Sequence, residues 1–94
     1  MKLNSCFVLR FIHHLYLLVP VSRNSITKEA VLLNETAAMI FQNCESAHSA
    51  EQLADILANR FTDISPVEAK MQLLPYIESL LQEGFLIMDE NGKE

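Results

Sequence analysis

The first third of the chain carries apolar residues in short β-prone runs, and the remainder carries them at helical spacing. Residues 6–12 are rich in Phe, Val, Leu and Ile with one arginine, and residues 16–21 form a second such run that Pro20 and Ser22 close. His13-His14-Leu15 between them reads as a hairpin connection, although it lacks the usual Asn-Gly or Asp-Gly pair. A polar loop over residues 22–25 leads to a third strand over residues 26–33, with its strongest signal at Val31, Leu32 and Leu33.

Three helices follow. Asn34 is a favoured N-cap, and Glu35 in the first turn suits the positive end of a helix dipole. Ala37, Ile40, Phe41 and Cys44 fall on one face of this first helix, expected over residues 35–43. Ser49 and Gln52 form a capping box for a second helix with Leu53, Ile56, Leu57 and Phe61 as its buried stripe. Ser65 and Glu68 form another for a third helix, with Pro66 at the first helical position and Gly84 as its stop. Its apolar face is Leu73, Tyr76, Ile77, Leu80 and Leu81, after which residues 85–87 return to the core. Pro75 breaks the pattern by removing a backbone bond to Met71, so the third helix is expected to kink near residues 71–74 or to divide in two. The predicted fold is therefore α+β and winged-helix-like, a three-stranded antiparallel sheet followed by three helices (βββααα).

Composition narrows the class. A chain of 94 residues, half of them hydrophobic and 20% charged, makes one globular domain over residues 1–94, with a core at about 6–88 and a frayed polar tail at 89–94. Only Gly84 and Gly92 are glycine, so no phosphate-cradling loop exists. Residues 1–44 carry a net charge of +2 and residues 45–94 carry −7, and the helical half repels nucleic acid. A winged-helix DNA binder remains an alternative by fold, but the third helix sets Glu68, Glu78 and Glu83 against Lys70 alone. Arg10, His13 and His14 interrupt the apolar start, and no stretch reaches the ~20 apolar residues of a spanning helix. The reading is a cytoplasmic protein with no membrane segment and with Cys6 and Cys44 as reduced thiols.

Candidate chemistry is sparse. His13, His14, His48 and the two cysteines lack zinc spacing, and Cys44 on a helix face reads as a small hydrophobe. No nucleophile motif occurs, and the carboxylates fall on solvated helix faces. The chain reads as non-enzymatic, without metal or cofactor. An interaction surface remains. A three-stranded sheet has two edges with unpaired N–H and C=O groups, and a partner peptide can add there as a further strand. Met71, Leu74 and Leu81 widen the apolar stripe of the third helix beyond one core contact, unless that helix is wedged in the core on all sides. A third class is a homo-oligomeric module whose open edge pairs with its own copy.

Phe7-Val8-Leu9-Arg10, Tyr16-Leu17-Leu18-Val19-Pro20, Val31-Leu32-Leu33-Asn34-Glu35-Thr36-Ala37-Ala38 and Tyr76-Ile77-Glu78-Ser79-Leu80-Leu81-Gln82-Glu83-Gly84-Phe85-Leu86 together resemble the PqqD-like family. These are peptide chaperones of pyrroloquinoline quinone biosynthesis, and the same module is called the RiPP recognition element. The resemblance spans about residues 7–87. It implies a non-catalytic adaptor that binds the leader of a ribosomally made precursor peptide by strand addition. The adaptor presents that leader to a modifying enzyme, often a radical S-adenosylmethionine protein. Carried over, the receiving strand is Ala30, Val31, Leu32 and Leu33. The cleft side of the third helix is Lys70, Leu74, Ile77 and Leu81, with Leu73, Tyr76 and Leu80 facing the core.

Overall fold

The computed structural model describes residues 1–22 and 28–88. Its main sheet holds strands β2 (Phe7–Ile12), β3 (Leu15–Pro20) and β4 (Val31–Leu33) in sequential antiparallel order. Helices α1 (Glu35–Asn43), α2 (Ala50–Ala58) and α3 (Pro66–Gln82) follow. This is the expected α+β arrangement. Two short strands were not foreseen: β1 (Lys2–Leu3) pairs antiparallel with β5 (Leu86–Ile87) in a separate two-stranded sheet.

The β2–β3 hairpin turns on His13 and His14 alone, with φ of 51° and 65°. Ile12 opposite Leu15 closes this two-residue loop. Two left-handed residues match the right-handed twist of the flanking strands, and histidine tolerates that region better than a β-branched residue does. β4 is shorter than the sequence suggested. Ala30 precedes it, and Ile26 and Thr27 lie outside the described residues.

Register assigns each side chain to a face. Phe7 and Leu18 are buried in the core, and Leu9, Val31 and Leu33 pack against it. The opposite face presents Val8, Arg10 and Ile12 of β2, Leu15, Leu17 and Val19 of β3, and Leu32 of β4. None of these belongs to the core. Antiparallel sheets with one open face usually turn polar residues outward. Here Arg10 is the only charge in that set.

The helices begin as their sequences dictate. Asn34 Oδ1 accepts from the Ala37 N–H at 2.8 Å, Ser49 Oγ from Gln52 at 3.0 Å and Ser65 Oγ from Glu68 at 3.2 Å. Gln52 reaches back to the His48 N–H rather than to that of Ser49, at 2.6 Å. α3 runs unbroken through Pro75, so the division into two pieces does not occur. Pro75 and Met71 both lie on the exposed side, where water can reach the carbonyl that loses its donor. α3 then ends in a Schellman motif. Gly84 takes φ 90°, its N–H donates to Leu81 at 3.2 Å, and the Phe85 N–H donates to Leu80 at 3.0 Å.

That stop aims residues 85–87 at the start of the chain. Asn4 Nδ2 donates to the Gly84 carbonyl at 2.8 Å, and the Asn4 N–H donates to Phe85 at 2.9 Å. Met1 and Leu86 are buried with Leu53, Leu57, Ile77 and Ile40. The core therefore starts ahead of residue 6. Residues 89–94, expected to fray, lie outside the described residues.

Candidate functional site

β4 pairs with β3 on one side, and among the described residues no strand occupies its other side. Alternation along the ladder fixes which groups face outward. Residues in an antiparallel pair turn their N–H and C=O alternately toward and away from each neighbour. Ile12 and Leu15 close the hairpin, so Arg10–Leu17 and Val8–Val19 are the pairs bonded across β2 and β3. Tyr16 and Leu18 therefore turn to β4, where they meet Leu33 and Val31. Leu32, opposite Leu17, turns its N–H and C=O to the vacant edge. Its side chain, 61% exposed, points to the outer face of the sheet.

Beside that edge lies an open groove of about 270 Å³ between β4 and the second half of α3. Leu18, Ala37 and Phe41 form its floor, and Val31, Leu33 and the edge of Leu32 form one wall. Tyr76 and Leu80 form the other, with Glu83 and Phe85 beyond them. A second hollow of about 200 Å³ continues past Asn34 and Tyr76, which line both, to Thr36, Phe61, Ile64, Gln72 and Leu73. An extended segment pairing with Leu32 would send every second side chain into this groove. The site offers backbone pairing and apolar contact.

The strand half of the predicted site is assembled here: Val31, Leu32 and Leu33 line the groove, and Ala30 is the exposed residue just before them. The predicted helix half is not. Ile77 is fully buried in the core, and Leu74 and Leu81 are half-buried against the core rather than on the groove. Lys70 faces α2, with Nζ 3.1 Å from Asp55 and 3.4 Å from Glu51. The hydrogen bond that this ammonium donates to the Asp55 carboxylate, supported by the charges of Asp55 and Glu51, holds it above its ordinary pKa, against the opposing effect of desolvation. Leu80, expected to face the core, is buried in it and also lines the groove, and Tyr76, expected there too, is half-buried against the core and forms the rest of the helix wall. The reason is that the groove lies on the opposite flank of the buried stripe from the one expected. Ala69, Leu73, Ile77 and Leu80 form the buried stripe of α3 against α2 and the sheet, leaving Tyr76 and Glu83 toward β4. A helix with apolar residues on most of its circumference hides that choice from periodicity. Glu83 and Phe85 were missed as groove residues, since they follow the helix and only the Gly84 stop brings them back.

The remaining chemistry is quiet. Among the described residues, no three His, Cys, Asp or Glu side chains come close enough to hold a metal ion. Cys44 is buried, and its Sγ donates to the Phe41 carbonyl at 3.3 Å. Burial, reinforced by neighbouring Glu45, pushes its thiol pKa up. Cys6 and Cys44 form no disulfide. Lys70 is the one cation of α3 and is already paired with two carboxylates, which leaves that helix no free positive charge for a phosphate. Among the described residues no helix is long and apolar enough to cross a membrane.

A family model described as "Coenzyme PQQ synthesis protein D (PqqD)" matches residues 17–86, which run from within β3 through α3 to the first residue of β5. No curated protein and no solved structure matches the chain.

Proposed function

Because the chain belongs to the PqqD family, we propose that it is a non-catalytic adaptor that captures the leader of a ribosomally made precursor peptide and presents it to a modifying enzyme. The leader adds in extended form to the vacant edge of β4, beside Leu32, and its alternate side chains enter the groove. The observation that carries this reading is the coincidence of the two features. The outward N–H and C=O of Leu32 border an apolar groove walled by Tyr76 and Leu80. An open edge alone is a liability that proteins usually blunt. An edge beside an apolar furrow gives a peptide both affinity and selectivity.

Backbone bonds and apolar burial should carry most of the affinity, in the micromolar to nanomolar range of about −8 to −12 kcal/mol. The test is an amide-resolved titration of isotope-labelled protein with synthetic leader peptides. Shifts should concentrate at Leu32, Asn34, Tyr76, Leu80 and Phe85. Saturable binding that leaves those amides unmoved would sink the reading. The modifying enzyme, of the radical S-adenosylmethionine class or another, then acts on the core segment that trails from the captured leader. Its turnover should depend on this chain only when leader and core are joined.

A further inference from the structure

The groove is charged at one end only. Among the described residues Glu83 is the sole charged one that lines it, and those that line the adjoining hollow are apolar or neutral and polar. Glu83 is also the C-cap of α3, so its carboxylate adds to the negative end of the helix dipole. The last turn of α3 holds no basic residue to offset either, and among the described residues Glu83 forms no ion pair. Its position along the groove follows from α3. Tyr76 stands with Asn34 at the junction of the two hollows. Glu83 is seven residues further on, about 10 Å along the helix axis. That is the length of roughly three extended residues.

From this geometry, and resting on the peptide-capture reading above, we propose that the groove selects a leader segment with an apolar residue seated between β4 and Tyr76 and a lysine or arginine about two to four positions away that meets Glu83. Because one end is anionic and the other neutral, the same contact fixes which way the leader runs. A reversed peptide would place its cation against the Asn34 and Gln72 end, where no carboxylate lines the wall. Glu83 is then a specificity-determining residue: it chooses among extended apolar peptides without supplying most of their affinity. An exposed pair of this kind changes affinity by a few-fold.

The experiment is selection from a random peptide display library on wild type, Glu83→Gln and Glu83→Lys. Glu83 is exposed, and a cation at a helix C-terminus is favourable, so both variants should fold, with circular dichroism as the check. Wild type should enrich apolar peptides with Lys or Arg at one fixed offset. Glu83→Gln should keep the apolar motif and lose the basic one, and Glu83→Lys should replace it with Asp or Glu. A selected peptide should bind Glu83→Gln about three- to fivefold more weakly at low salt. That difference should vanish near 1 M salt, where the Debye length is about 3 Å. The same apolar motif with no basic bias, or a bias that survives Glu83→Lys, would overturn the proposal while leaving peptide capture standing. Failure to enrich any motif would overturn both.

Discussion

Leu32→Pro tests the vacant edge through a single atom. The substitution deletes the N–H that faces the vacant side of β4, while Val31 and Leu33 keep their pairing with Leu18 and Tyr16. Proline is tolerated in a sheet where its missing donor faces solvent. The leucine side chain is 61% exposed and outside the core, so little packing is lost. Restricting the backbone angle should cost the fold less than about 1 kcal/mol. Leader binding should suffer more. The leader loses one backbone hydrogen bond, and its own carbonyl is left facing a carbon ring in a partly desolvated groove. An unmet acceptor of this kind costs about 1–3 kcal/mol, which is about five- to more than a hundredfold in Kd. Titration calorimetry with the leader measures the loss, and urea unfolding shows that the fold persists. Leu32→Ala, which keeps the N–H, should bind nearly as wild type. Val31→Pro should behave in the opposite order, breaking the bond to Leu18 and destabilising the protein itself. A folded Leu32→Pro protein with unchanged affinity would refute strand addition at this edge.

Ile77→Ala should lower unfolding stability by about 2–5 kcal/mol in urea titrations, because Ile77 is fully buried; a loss under 1 kcal/mol would place that side chain elsewhere. Lys70→Met should leave leader affinity unchanged, since Lys70 pairs with α2 and not with the groove. The raised pKa of Lys70 also sets a sign: any stability the pair confers is present below pH 10.5 and is lost as pH climbs through the folded-state value. The wild-type and Lys70→Met curves should therefore converge in strong alkali. Burial holds the Cys44 thiol protonated in the folded state, whereas the unfolded thiol ionises near 9.0, so its contribution to stability declines as pH rises above that value. A thiol reagent at neutral pH should label the half-buried Cys6 well before Cys44, and equal rates would contradict this packing.

The elements bounded by strong local chemistry were legible in the sequence. Asn34, Ser49 and Ser65 each accept the backbone bond that their residue types announce, and Gly84 stops α3 where its spacing says it should. What escaped depends on contacts distant in sequence. β1 and β5 are two residues each, joined across more than 80 positions, and no local pattern distinguishes them from loop. The strand wall of the groove was found from Val31, Leu32 and Leu33, because an apolar run against a helix cap marks a strand end. The helix wall was not. Met71, Leu74, Tyr76 and Leu81 give α3 apolar residues beyond its buried stripe, and only the packing against α2 decides which of them remain free. Pro75 suggested a broken helix by its chemistry, yet it sits on the one side where a missing bond can be made good by water.

On the proposed capture of a peptide, the aliphatic outer side of the main sheet bears on how a loaded state would show itself. A fourth strand laid against Leu32 would hide half its side chains between sheet and helix and display the other half next to Leu17 and Leu32. Loaded and empty molecules would then differ outwardly: the greasy panel broadens by one strand's width when a peptide is aboard. On that same proposal, an enzyme docking on the panel would distinguish a filled molecule from a vacant one without touching the furrow.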